Sequence, residues 1–596
     1  MKRKFSKRQS KPKLEVVEDF ETEDFQDIDK YLQEDHESDL DQDLEDLYQN
    51  FPQSDLVDQE LLQLDQHSEE DEDVGKREFV SASCRAEASS GDSSDEGDSN
   101  SALPPSLAFS IAQIEALEKR LLTAPTFSLK PIKKALLFFQ SYLDQPGEGL
   151  STASEGEESS LQKLIVFLFH TAPLELAKHL QMKEGNWWEQ KLPTAHSDWK
   201  ACSKVLKGLF EGLLRLLGEL TASSSLLFLL SVIQPSLVFL RGFGGDFSAF
   251  SKIIIDIWSR IEARSTASDE KVKVAALLIL RKICLCSRTQ LERMLKGMYL
   301  KFAAASKSIT PHNISTVNFL LNSMLEIYRL DHALSYHYAF LFIRQLALSV
   351  RALVSPSAKE RLDKGVVKRV FSWQFLYCIK FWCKFLAVAC KGGDQNLKLL
   401  VYPVVQICMA VLTLSLKTKQ QYFPFFLAII RQLNELSIGV ESTFIPTASF
   451  VLTMIESMNN NHSLSKAASL KPFDLSTVYK VSKAWVNTRL YFDLLLEECS
   501  AALLESFACK CVAENEAGFR EYSNIVISRL KKIVKEAKNP KVSQHIDEVI
   551  CVLRQNAEHL DLKEKKGGDV PLVVFWANYK KTMDLKKKMA AEEIGK

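Results

Sequence analysis

Residues 317–351 read VNFLLNSMLEIYRLDHALSYHYAFLFIRQLALSVR, and their spacing decides the fold class. Leu320, Met324 and Ile327 recur at steps of four and three. Ala339, Phe342, Leu346 and Val350 repeat the pattern. Each set lies on one face of a 3.6-residue helix, as in a helix laid against a core. Asp331 stands between the two runs, where its carboxylate suits the cap of the second helix.

The same periodicity extends outward from about residue 105 to the C-terminal region. It is punctuated by Pro125, Pro131, Pro146–Gly147, Pro235, Gly242–Gly245, Pro311, Gly392–Gly393, Pro424, Pro446, Pro540 and Pro571. RGFGGDF (241–247) reads as a helix-breaking turn, because no Lys-Ser/Thr follows its glycines to hold a phosphate. A succession of roughly 16–20 paired amphipathic helices fits an all-α HEAT- or armadillo-like solenoid. The expected division is a tail over 1–104, a solenoid over 105–458, a linker over 459–472 and a helical region with a basic tail over 473–596. Among 596 residues only 22 are glycine and 18 proline. Sandwiches, propellers and Rossmann-type folds need more turns and glycine loops than that.

The net charge of −1 hides a strong asymmetry. Residues 1–13 hold seven Lys/Arg and no acid; residues 14–100 hold 31 Asp/Glu against four Lys/Arg. The rest of the chain carries 64 basic and 45 acidic residues. The acidic, Ser-rich tract has too little apolar surface to offset its ordering entropy, so disorder is expected. Ser93, Ser94 and Ser99 lie beside acids and suit phosphorylation. Lys2, Arg3, Lys4, Lys7 and Arg8 form a candidate nuclear import signal.

Chemistry-bearing patterns are scarce. No CxxC occurs among twelve cysteines, and the N-terminus has no apolar signal core; a reduced intracellular protein is the expectation. Residues 220–240 and 399–416 lack charge but contain serines, glutamines and prolines. They read as buried helices rather than membrane spans. Nucleotide, metalloprotease and serine-hydrolase signatures are absent. His332 and His337 are five apart, a poor spacing for one metal on a helix face. Neither catalytic residues, metal ligands nor a cofactor are expected.

Two features suit binding. Lys531, Lys535 and Lys538 fall at i, i+4 and i+7, and Lys580, Lys581, Lys586, Lys587 and Lys588 follow in the tail. These suit either a solvated face or contact with RNA phosphate without base readout. Trp373, Tyr377 and Phe381 place aromatic rings at i, i+4 steps along one helix, with Trp382 next to the last. That stripe is either an inter-helix core or a partner-binding groove.

A set of stretches in a fixed order adds a resemblance. They are LKGMYLKF (295–302), residues 317–351 quoted above, VFSWQFLYCIKFWCKFL (370–386), LLVYPVVQI (399–407), YFPFFLAIIRQLNELS (422–437), TFIP (443–446), KPFDLSTVYKVSK (471–483) and VPLVVFWANYKK (570–581). VKVAALLILRKI (272–283) extends them weakly upstream. Together they resemble the nucleolar complex protein 2 family of ribosome-assembly factors over about two thirds of the chain. Phe425–Phe426 stands where the family usually continues with Leu-Arg.

The resemblance implies a non-enzymatic HEAT-like protein of the nucleolus and nucleoplasm. It also implies a role in assembly and intranuclear transport of large (60S) ribosomal subunit precursors. Related helical proteins, nucleolar complex proteins 1 and 3, are the implied partners, with pre-rRNA a further one and no membrane. Two other readings stay open: an importin-like transport adaptor, and a chaperone of histones or other basic proteins acting through 14–100.

Overall fold

The computed structural model describes residues 111–566 apart from internal stretches, the longest being 145–154, 355–363, 460–474 and 508–515. The candidate import signal, the acidic tract, Lys538 and the lysines at 580–588 lie outside the described residues. What is described is helical, with no β-strand element. The described residues are all-α, and the chain divides into two compact units at Phe302.

The first unit contains α1 (Ile111–Thr123), α2 (Lys130–Leu143), α3 (Glu155–Val166), α4 (Ala172–His179), α5 (Trp199–Glu219), α6 (Ser223–Val232), α7 (Leu237–Leu240), α8 (Gly244–Ser259), α9 (Ala267–Cys286) and most of α10 (Arg288–Ala305). A π-helical turn, Phe167–Thr171, joins α3 to α4. Helices pack on near neighbours in sequence: α1 on α2, α2 on α5, α5 on α8, α8 on α9 and α9 on α6. The α2–α5 crossing depends on Gly212, where a Cβ would stand 2.7 Å from the Phe139 ring. The glycine run 241–247 is only half a turn, since α8 begins at Gly244. Phe243 supplies the first carbonyl, accepting from Phe247 N at 2.8 Å.

The second unit contains α11 (Ile314–Tyr328), α12 (His332–Val354), α13 (Lys364–Val370), α14 (Trp373–Lys391), α15 (Gln395–Lys398), α16 (Val401–Ser415), α17 (Phe423–Val440), α18 (Ala448–Asn459), α19 (Lys483–Val486), α20 (Arg489–Ser506), α21 (Glu516–Glu536) and α22 (Pro540–Lys566). Its helix starts follow local chemistry. Asp331 accepts from Ala333 N and Leu334 N at 3.0 and 3.1 Å. Ser372 accepts from Phe375 N, Asp394 from Asn396 N and Thr488 from Tyr491 N. Each side chain satisfies an amide that the first turn leaves without a partner. After α14 the chain turns at Gly393, whose φ of 82° is the left-handed region that glycine enters without strain.

The charge-free stretch around 399–416 forms α15 and α16. Gln395–Leu414 is long and apolar enough to cross a membrane by length and composition, and 56% of its apolar window is buried inside the protein. It packs against α12, α14 and α17.

Candidate partner and RNA surfaces

The aromatic stripe on α14 is enclosed on nearly every side. Thirteen of the nineteen residues of α14 are buried. Trp382 and Phe381 are fully covered, and Tyr377 and Trp373 retain 3% and 8% exposure. Tyr328 of α11 meets Phe381, Trp382 and Phe385 edge-on, with ring centroids 5.2–5.7 Å apart. Phe342 of α12 stacks on Trp382 at 6.3 Å, and Tyr479 meets Trp373 at 5.4 Å. Edge-to-face pairs set the ring's positive rim against a negative face, adding to the area they bury. All four residues of the stripe therefore pack between helices, and none lines an open groove. Burial also pushes Tyr377 up to about 12 and Tyr328 well above its ordinary value.

One cation sits at the edge of this core. Lys380 donates to Asn318 Oδ1 at 3.0 Å and lies 4.9 Å from the Tyr377 ring centroid. Burial holds its amine down to about 8; Lys384 lowers it further and Glu435 opposes. The role of Lys380 was not legible from spacing, because its partners come from α11 and α17.

Polar stitches hold the later helices. Arg431 of α17 pairs with Glu498 of α20. Asn434 donates to Ala502 O and accepts from Thr447, at 2.8 and 2.6 Å. Tyr491 donates to Gln420 O at 2.9 Å. Arg529 of α21 grips Glu456 of α18 through both carboxylate oxygens at 2.9 Å.

Beyond that grip, α21 divides cleanly. Phe519, Val526, Leu530 and Ile533 are buried. Lys531 and Lys535 are exposed on the other side. Lys532, outside the i, i+4, i+7 pattern, is exposed as well. Three lysines in the last turns of a helix complement its negative end, and the same charges face solvent where a polyanion can meet them. His332 and His337 go separate ways: His332 Nδ1 lies 2.8 Å from Asp394 Oδ2, while His337 meets the Tyr338 ring edge-on. Among the described residues no cluster of His, Cys, Asp or Glu is arranged to hold a metal.

Comparison with known proteins bears on this second unit. The profile of the Noc2p family matches residues 289–568. An uncharacterised NOC2 family protein of Schizosaccharomyces pombe is 28% identical over 415 residues, covering 69% of this chain and 56% of its own. Nucleolar complex protein 2 of Drosophila melanogaster is 26% identical over 423 residues, covering 66% and 52%. Nucleolar complex-associated protein 2 of Arabidopsis thaliana is 25% identical over 461 residues, covering 73% and 57%. The chain thus spans just over half the length of these relatives. The matched region takes in the whole of the described second unit, and the chain is similar to the Noc2p family over it.

Proposed function

We propose that this chain is a member of the Noc2p family and a nuclear and nucleolar assembly factor without catalytic activity, a helical scaffold on precursors of the large ribosomal subunit. The family match over 289–568 carries the reading, and the nucleolar names of the fly and plant relatives support it. Nucleolar complex proteins 1 and 3 are the proposed partners, and intranuclear transport of the particle accompanies assembly. The physics agrees with scaffolding. Interlocked aromatic cores make a rigid frame, while the exposed lysines of α21 offer charge without a base-reading motif.

Lys531, Lys535 and Lys538, with Lys580, Lys581, Lys586, Lys587 and Lys588, are the proposed contacts to RNA phosphate. Lys2, Arg3, Lys4, Lys7 and Arg8 are the proposed import signal. The test is purification of the tagged chain from nuclease-treated and untreated lysate. Recovery of large-subunit precursor rRNA, lost with nuclease, is expected. Recovery of histones or a small GTPase in its place, unaffected by nuclease, would overturn the reading.

A further inference from the structure

The outer face of α9 is apolar where a solvent-facing helix is ordinarily polar. Val272, Ile279, Leu280 and Ile283 are buried on the side where α9 packs on α6 and α8. On the opposite side Val274, Leu278 and Leu285 are 44%, 52% and 47% exposed. They stand at i, i+4 and i+11, within about 40° of one another around the helix, and form one line about 16 Å long. Arg281, also exposed, takes the i+7 position between Leu278 and Leu285, and exposed Lys271 flanks the line one turn before Val274. Among the described residues no ion pair engages either cation. Glu270, in the first turn, is the one exposed acid among the described residues of α9. Lys282, on the margin of the face, is turned away to Gln234 Oε1 at 2.7 Å.

This pattern chooses its occupant. Nucleic acid would take the cations but gain nothing from a line of aliphatic side chains. A second copy paired two-fold about the middle of the line would set Arg281 beside its own likeness. A neutral helix would cover the leucines and leave Arg281 without a partner, a costly way to bury a charge. An amphipathic helix with acidic flanks covers the leucines and supplies carboxylates to Arg281 and Lys271.

The chain's own sequence contains one. Residues 38–51 read SDLDQDLEDLYQNF, with Leu40, Leu44, Leu47 and Phe51 at i, i+4, i+7 and i+11, the four positions that recur on α9. Ser38 and Asp41 have the spacing of a capping box, and Pro52 closes the run. Five Asp/Glu and no Lys/Arg fill it. A helix of this length is marginal alone, so a covering surface decides whether it forms. The residues between it and α1, 52–110, span about 40–45 Å as a flexible chain, and α1 and α9 belong to the same compact unit.

We propose that the Val274–Leu285 face of α9 is the docking site for residues 38–51 of the same chain, which fold on it as an amphipathic helix. Leu40, Leu44, Leu47 and Phe51 cover the apolar line, and the flanking acids meet Arg281 and Lys271. The tether gives this segment a high effective concentration at the face, so an acidic helix from another protein must displace it. The contact is independent of any RNA held at α21.

The test is fluorescence anisotropy of a labelled peptide of residues 36–53, added to the full chain and to a full-length variant with Leu40→Ser, Leu44→Ser and Leu47→Ser. The tethered segment competes in the wild type, so the peptide should bind the variant at least tenfold more tightly. Adding Leu278→Ser and Leu285→Ser to that variant should weaken the peptide at least tenfold. Both side chains are about half exposed, so unfolding followed by circular dichroism should be unchanged. Arg281→Glu should weaken the peptide about threefold at low salt, and a peptide with Asp43→Lys and Asp46→Lys should regain affinity for the Arg281→Glu chain. Equal binding by wild type and the three-leucine variant, or binding by neither, overturns the proposal. So does binding that survives the Leu278→Ser and Leu285→Ser changes. If those two changes unfold the chain, the charge exchange decides: regained affinity supports the contact, and none overturns it. If sedimentation shows copies that associate and part on the same two changes, a second copy occupies the face in place of residues 38–51, and the proposal is overturned.

Discussion

Gly439 is where the second unit is most sensitive to one added carbon. It lies near the end of α17, opposite Ala387 of α14, in the most extensive helix pair described. A Cβ at Gly439 would stand 2.4 Å from Ala387 Cβ, 2.9 Å from its Cα and 3.2 Å from its carbonyl oxygen. Carbons in ordinary contact sit about 3.5–4.0 Å apart. The obstructing atoms are backbone or fixed to it, so no rotamer change relieves them. The helices would have to part by about 1 Å, and a gap of that size forfeits a quarter to a half of each affected contact.

Overpacking of this kind costs about 1–3 kcal/mol, and a rigid backbone clash belongs at the upper end. Replacing Gly by Ala inside a helix otherwise gains up to about 1 kcal/mol. Gly439→Ala is therefore expected to destabilise by about 2 kcal/mol net. Gly218 on α5, with nothing within 4 Å of its would-be Cβ, is the control, and Gly218→Ala should be neutral or stabilising. Ala387→Gly in the Gly439→Ala background should recover part of the loss by removing the 2.4 Å contact. Urea unfolding followed by circular dichroism measures all four. A Gly439→Ala variant as stable as wild type, or a double variant weaker than the sum of the singles, would refute the close approach of α14 and α17.

Three further outcomes are expected. Trp382→Ala should cost about 3–5 kcal/mol by calorimetry or denaturant, and partner binding should fall only as the fold does; a variant that melts like wild type but fails to bind would make the stripe an interface after all. Lys380 binds its proton more weakly folded than unfolded, so stability should rise with pH from about 8 toward 10.5. Against Lys380→Met, wild type should gain about 2 kcal/mol over that range, and a flat difference would refute the buried amine. For Arg529 and Glu456, both about one-third exposed, a double-mutant cycle should give a coupling of about 0.5–1 kcal/mol; a value near zero would mean that solvent holds both ions as well as they hold each other.

The sequence was most legible where a local rule decides the structure. The apolar steps at Leu320–Ile327 and Ala339–Val350 mark buried faces, and Asp331 caps because carboxylates at that position nearly always find first-turn amides. In the glycine run at 241–247 the glycine content signals a break, but Gly244 and Gly245 adopt helical angles as readily as a turn and open α8. The division at Phe302 leaves no local trace, because it falls inside α10, which holds no proline and runs helically through Gly297 and Phe302. It is a property of which helices share a core.

The candidate sites show the same boundary from the side of function. On α14 the ring spacing was visible, but spacing on one helix cannot distinguish core from groove when the helix is covered almost all round. Tyr328, Phe342 and Tyr479 decide it, and they come from three other parts of the chain. Charge behaves likewise. Lys531 and Lys535 were found because four residues return a helix to the same face. Lys380 shows the converse: burial lowers its proton affinity, and the groups around its amine, Asn318 and Glu435, stand on two other helices, so the burial of that amine depends on packing that one-helix periodicity does not encode.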